Sequence, residues 1–315
     1  MVPLTRFTLK AALALAIVAA LIAPLPASAQ TLYGSITGTV TDQQGAPVPG
    51  AAVMATNTGT GLKVEAVTDT NGAYTFRNLL PGVYDLNASL EGFRALNQTG
   101  LRVSAGNPVR VDLKLEVGTL AETVNVVSET TLLQTEKADL STEISAKEIV
   151  NLPLNQFRNY QKLLDLVPGA TPSALQNAEI DTPGRALTTN VNGLQRNSNA
   201  FRIDGAVSLN VWLPHHVGYV NPAETIESVN ISTNNFGADQ GMAGGAAVTV
   251  VTKSGTNELH GSAFLFRNQE DFNANTFANN ANNLPKPDLS RSIFGGTLGG
   301  PIVKNKLFFF GSWER

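Results

Sequence analysis

The residues able to do acid–base or metal chemistry are few and scattered. The chain holds three histidines, His215, His216 and His260, and no cysteine, so thiolate sites and disulfides drop out at once. His215 and His216 are neighbours, and neighbours on a strand point to opposite faces, a poor start for one shared ion. Arg202, Asp204, Glu227 and Asp239 offer proton-transfer chemistry, but they lie among turns and polar strands. Turn formation and hydrogen bonding are the simpler account of them. The glycine-rich run 241–247 has the look of a phosphate cradle. A cradle needs a following Gly-Lys-Ser/Thr and an opening helix, and residues 246–252 read instead as a strand. The formal net charge of −3 leaves no basic footprint for nucleic acid. The expectation is no catalytic residue, no metal and no cofactor. The informative residues are those that direct export and build strands and turns.

The elements around them can be read in order. Charged residues make up 15% of the chain, below the ~25% of ordinary globular domains, and Gly and Asn are frequent, which suits strands and turns. Arg6 and Lys10 precede an apolar run, 11–22, followed by Pro24, Pro26 and Ala27-Ser28-Ala29. That is the order of a secretory signal, and the run falls short of the ~20 residues a spanning helix needs. Cleavage is expected after Ala29, with Ala27 and Ala29 as the small recognition residues and Gln30 as the new N-terminus. Residues 1–29 are therefore a signal peptide. With no later run apolar enough for a membrane helix, any membrane insertion is expected through strands.

Residues 30–117 read as one all-β unit. Alternating runs begin at Ser35 and are broken by turns at Gln43-Gln44-Gly45, Gly59/Gly61, Asn71-Gly72 and Pro81-Gly82. Asn71-Gly72 is a hairpin signal. The final run places Val109, Val111, Leu113 and Leu115 on one face and Arg110, Asp112 and Lys114 on the other. About seven such strands predict a sandwich. The fragments Gly38-Thr39-Val40-Thr41-Asp42, Gly45…Pro49-Gly50-Ala51, Asp69-Thr70-Asn71-Gly72-Ala73-Tyr74 and Leu80-Pro81-Gly82-Val83-Tyr84 resemble the carboxypeptidase regulatory-like domain. The resemblance implies a transthyretin-like sandwich grouped with carbohydrate-binding-like folds. It does not imply a peptidase, because a zinc peptidase needs clustered His and Glu ligands and all three histidines lie outside the unit.

Residues 118–144 form an expected linker. Within it Glu122, Thr123, Val124, Asn125, Val126 and Val127 have high β-propensity. They resemble a TonB box, the segment by which a TonB-type periplasmic energy-coupling protein grips a receptor, offering backbone groups to the partner's sheet edge. An extra edge strand of the sandwich is the other reading of the same residues, and the sequence leaves both open.

Residues 145–254 open with Ser145-Ala146-Lys147-Glu148, a capping box. Asn155 can cap a second helix carrying Tyr160, Leu163, Leu164 and Val167, stopped by Pro168-Gly169. The apolar stripe is a core face. The string Leu152-Pro153-Leu154-Asn155…Arg158-Asn159-Tyr160 resembles the Oar-like branch of TonB-dependent receptors. Val191-Asn192-Gly193-Leu194, Phe201-Arg202-Ile203-Asp204-Gly205, Ile226-Glu227-Ser228-Val229 and Gly244-Gly245-Ala246-Ala247-Val248 follow in the order of that family's plug domains. Asn192-Gly193 and Asp204-Gly205 are tight-turn pairs, and Gly244 and Gly245 let backbones approach.

From residue 255 the strands change character. Residues 259–267 have the length of one membrane strand, ~9–11 residues. A polar stretch with seven asparagines, 268–290, suits an extracellular loop, and the short turn 303–306 a periplasmic one. In the last strand Leu307, Phe309, Gly311 and Trp313 share one face and Phe308, Phe310, Ser312 and Glu314 the other. The expected fold is mainly β: a transthyretin-like sandwich, an α+β plug domain (145–254), then the first strands of an incomplete transmembrane β-barrel (255–315). Plugged transporters have roughly 22 strands, so the sequence reads as the N-terminal part of a longer receptor. The implied function is energy-coupled import across the outer membrane. The implied partners are the TonB-type protein, outer-membrane lipid and an extracellular small ligand (siderophore, oligosaccharide or peptide), with the sandwich in the periplasm. A secreted adhesive sandwich and a hydrolase with an accessory sandwich are the rivals, and neither accounts for the plug-like fragments.

Overall fold

Alternation from residue 34 onward becomes two facing sheets with one core between them. The computed structural model describes residues 33–118, 123–127, 137–152, 154, 158–172, 189–214, 216–241, 243–288 and 290–315. All belong to one unit, residues 32–315. The cleavage residues Ala27, Ala29 and Gln30 lie outside the described residues.

The first sheet pairs β1 (Gly34–Thr41) antiparallel with β4 (Ala73–Leu79) and parallel with β7 (Pro108–Arg110) and β8 (Leu113–Lys114). The second has β2 (Ala52–Asn57), β3 (Lys63–Val67), β5 (Gly82–Ser89), β6 (Ala95–Val103) and β9 (Thr123–Val127), in the order β3-β2-β5-β6-β9. Ile36, Val40, Phe76, Tyr84, Leu86, Leu101 and Leu115 fill the space between. Strand β1 buries every second residue, as a half-buried strand must.

Two expectations are corrected here. Asn71-Gly72 does form a turn, with Gly72 at φ 71°, but the strands it joins, β3 and β4, lie in different sheets. The Asp69 carboxylate accepts the amides of Asn71 and Ala73, so a side chain supplies part of the turn's bonding. The single strand expected through residues 109–115 is interrupted between β7 and β8. There the Asp112 carboxylate, not a backbone oxygen, accepts the Thr39 amide. Val111, Leu113 and Leu115 still face the core.

The middle of the chain forms a second core. Its sheet contains β10 (Leu140–Ser145), β13 (Ala200–Ile203), β14 (Ala206–Val207), β15 (Ile226–Asn234) and β16 (Ala247–Thr252), in the order β10-β15-β16-β13-β14. A separate hairpin pairs β11 (Ala170–Pro172) with β12 (Thr189–Val191). Helix α1 (Ala146–Asn151) starts at the expected capping box. The second helix is a 3-10 helix, Tyr160–Leu166, capped by Asn159 rather than by Asn155, which lies outside the described residues. Tyr160, Leu163, Leu164 and Val167 are buried against Phe201, Val229 and Val250. A tighter helix buries the same stripe, because residues three apart share a face in either geometry.

The chain ends in a three-stranded antiparallel sheet, β17 (His260–Gln269), β18 (Ser290–Val303) and β19 (Leu307–Glu314). Its two connections are unequal. A long loop with helix α2 (Phe277–Ala281) joins β17 to β18, and a turn with Asn305 at φ 61° joins β18 to β19.

Candidate functional site

The expected turn residues are built as their types require. Asn192 and Gly193 have φ 52° and 77°, and Asp204 and Gly205 have 47° and 87°, the left-handed region that Asn, Asp and Gly tolerate. Asp204 and Gly205 form the two-residue turn between β13 and β14, where Ile203 pairs with Ala206. The Asp204 carboxylate also accepts the Thr252 amide at 2.9 Å and its hydroxyl at 2.7 Å, tying this hairpin to the end of β16. The Asn192 side chain donates to the Thr233 carbonyl at 2.7 Å. Gly244 and Gly245 both donate their amides to the Ser198 carbonyl, and a Cβ at Gly245 would collide with the Asn199 side chain. That side chain accepts from Ala246 and donates to Thr189, so the glycine pair lets β16 begin against a buried asparagine.

The polar residues that tempt a catalytic reading are dispersed. Glu227 lies 4.0 Å from Arg102 of the sandwich. His260 sits beside the Glu258 carbonyl, and His215 lies outside the described residues. Among the described residues no three His, Cys, Asp or Glu side chains gather as a metal site. Glu148 accepts both the backbone amide and the hydroxyl of Ser145, which holds its carboxyl below the usual 4.5. Burial raises the Tyr160 hydroxyl above its ordinary range.

Arg158 is the residue that sequence reasoning passed over. It appeared only as one letter in a family-like string, yet it is 7% exposed and has φ 53°, uncommon for a non-glycine residue. Its guanidinium pairs with Glu224 at 2.9 Å and approaches Glu314 of β19 at 3.8 Å. It also lies over the Phe264 and Phe266 rings of β17, 5.1 and 3.9 Å from their centroids. One middle-unit cation thus grips two strands of the terminal sheet. The available sequence signal was an Arg between Phe157 and Tyr160 and two aromatics two apart on a later strand, but nothing in the sequence joins them. Removing one member of a buried charged set costs far more than an exposed pair is worth.

This seam also orients the terminal sheet. Phe264 and Phe266 face Arg158, so Leu265 between them points away and is 68% exposed. Phe294, Leu298, Leu307, Phe309 and Trp313 are exposed as well. Phe294 and Trp313 meet edge to face at 5.5 Å.

The sandwich is fastened to both neighbours. Ser104 donates to the Glu143 carboxylate, and Lys137 donates to the Gly106 carbonyl. Asn257 donates its amide to the Gly59 carbonyl at 2.8 Å, and its side chain pairs with Asn305. The expected linker is only partly a linker. Residues 140–145 are strand β10, and 123–127 are strand β9 on the sandwich edge. Glu122 of the box-like segment lies outside the described residues.

Residues 35–116 match the carboxypeptidase regulatory-like domain, and residues 251–315 match an outer membrane beta barrel domain. The chain is similar to the TonB-dependent transporter Oar of Myxococcus xanthus, 29% identical over 314 residues. The match covers 90% of this chain and 27% of Oar, so the chain spans about a quarter of that relative's length. Among solved structures, the siderophore receptor PirA from Acinetobacter baumannii is 20% identical with a TM-score of 0.42, covering 57% of this chain and 25% of that one. A mutant of the ferric enterobactin receptor PfeA from Pseudomonas aeruginosa is 15% identical with a TM-score of 0.35, covering 52% and 22%. The chain is a homologue of TonB-dependent transporters that carries a carboxypeptidase regulatory-like domain and outer-membrane β-barrel sequence. Its location is the outer membrane.

Proposed function

We propose that the protein acts in TonB-dependent import of a small extracellular ligand, a siderophore, oligosaccharide or peptide, and is not an enzyme. In this reading the middle unit is the plug, and the terminal sheet is the first part of the wall around it. The sandwich sits in the periplasm, delivered there by the 1–29 signal. Residues 122–127 are the segment gripped by the periplasmic energy-coupling protein.

One observation carries the reading: the terminal sheet has two unlike faces. Phe264, Phe266 and Glu314 hold Arg158 of the middle unit, while Leu265, Leu298 and Trp313 stand open on the reverse. In water, such an open row of large apolar side chains is an aggregation hazard. Against lipid it is what a barrel strand needs, apolar outside with the other face turned to the lumen. A pull on residues 122–127 travels along the chain to β10, which is an edge strand of the middle sheet and, among the described strands, pairs with β15 alone. An edge strand peels more readily than a central one, so force at the coupling segment reaches the plug at its weakest border.

The test is Val124→Pro in the complete receptor, read as co-purification with the periplasmic domain of the host's TonB-type protein. Proline removes a backbone donor from the segment. Association should fall to background while outer-membrane insertion is unchanged. Wild-type association would remove residues 122–127 from the coupling role.

A further inference from the structure

Strand β9 has a partner already. Residues 123–127 lie parallel to β6, with Ala95 opposite Thr123, Leu96 opposite Val124, Asn97 opposite Asn125, Gln98 opposite Val126 and Thr99 opposite Val127. We propose that the sandwich holds the coupling segment in reserve: the edge of β6 and the energy-coupling protein compete for the same five residues. The inference rests on the coupling role proposed above and adds its regulation.

Four observations point this way. First, β9 is at the end of the sheet order, and among the described residues no strand pairs with its far edge. Second, the hold is slight. Val124 packs on the sandwich core, Asn125 and Val126 are exposed, and among the described side chains one hydrogen bond, Asn125 Oδ1 accepting from Asn97 Nδ2 at 3.3 Å, spans the pair. Third, β6 itself is firmly seated. Leu101 and Val103 are buried, and β5 pairs along its other side. When the two strands separate, β9 is therefore the one that leaves. Fourth, the sandwich is anchored to its neighbours through Gly59–Asn257 and Ser104–Glu143. A pull on β9 while it is paired with β6 would load the sandwich, itself tied to Glu143 of β10, before the chain segment that leads to β10.

Chemistry gives the reserve a purpose. An unpaired segment with Val124, Val126 and Val127 exposes backbone donors and β-branched side chains, a template for unwanted pairing. Docking on β6 satisfies that edge until a competing edge is presented. Strand addition by the partner then replaces one set of backbone hydrogen bonds with a similar one, so exchange needs little net driving force.

A covalent lock tests this. Asn97 and Asn125 are Cα partners, and neighbouring strands lie about 4.8 Å apart, within the range a disulfide spans. Residues 1–315 contain no cysteine, so Asn97→Cys with Asn125→Cys introduces a single pair there. The complete receptor is purified in detergent, and its association with the TonB-type periplasmic domain is measured oxidised and then reduced. Oxidation should lower association at least tenfold and reduction should restore it in the same sample, which excludes misfolding. The single variant Asn97→Cys, outside the coupling segment, should bind as wild type in both states. Equal association in both states, with the bridge formed, would overturn the competition. Failure of the bridge to form in the folded receptor would overturn it too, since it separates residue 125 from residue 97. If the lock is silent while Val124→Pro still abolishes association, the reserve is wrong and the coupling segment stands. If both are silent, the coupling segment itself is wrong.

Discussion

The sandwich and the terminal sheet are both antiparallel-rich β-structure written in the same two-residue rhythm, yet they put their apolar residues in opposite places. In β1 and β5 alternate side chains disappear into a shared core, with Ile36, Val40, Tyr84 and Leu86 each 0% exposed. In β17, β18 and β19 the apolar members of the alternation stay open, Leu265 at 68% and Trp313 at 58%. The difference lies in what the second face meets. A sandwich supplies its own apolar partner, while the terminal sheet holds the Arg158 guanidinium against one face and leaves Leu265, Leu298 and Trp313 open on the other. Alternation alone names a two-faced strand. It does not say which solvent each face meets.

Substitutions can break or sharpen this contrast. The largest effect is expected in the sandwich, where Phe76 is 2% exposed. Phe76→Ala should destabilise that unit by about 3–5 kcal/mol, read as faster hydrogen exchange of its amides within the complete chain. An unchanged exchange pattern would mean that the two sheets do not share one core. Next comes the open face. Leu265→Arg should cost about 2–4 kcal/mol in a bilayer if the residue lies near mid-depth, measured as the folded fraction of the complete receptor in vesicles. If arginine at 265 is tolerated as well there as in a water-facing loop, the face meets water and the contrast fails.

The smallest effect lies in the unit between these two. Glu148 has its folded pKa depressed below 4.5, first by the Ser145 amide and then by its hydroxyl. A depressed carboxylate stabilises the folded state above its ordinary value, and that contribution fades as pH falls through the folded value. Exchange of the α1 amides should therefore quicken on acidification, and Glu148→Gln should flatten that dependence. Because the carboxylate is largely exposed, solvent screening keeps the effect small.

Local chemistry carried much of this protein. Asn192-Gly193, Asp204-Gly205 and the Ser145…Glu148 cap were legible in the sequence because each depends on residues within a few positions of one another. Strand alternation in the sandwich and in the terminal sheet was legible for the same reason, as was the apolar stripe of Tyr160, Leu163, Leu164 and Val167. The setting of Arg158 against the terminal sheet was not, since its partners Glu224, Phe264, Phe266 and Glu314 come from distant parts of the chain. Nor was the pairing of β9 with β6, strands whose paired residues lie more than twenty positions apart in the chain. Short-range rules settle a residue's conformation through its own backbone and nearest neighbours. Which charge is buried, which strand edge is occupied and which face stays open depend on surfaces that meet only after the chain has folded.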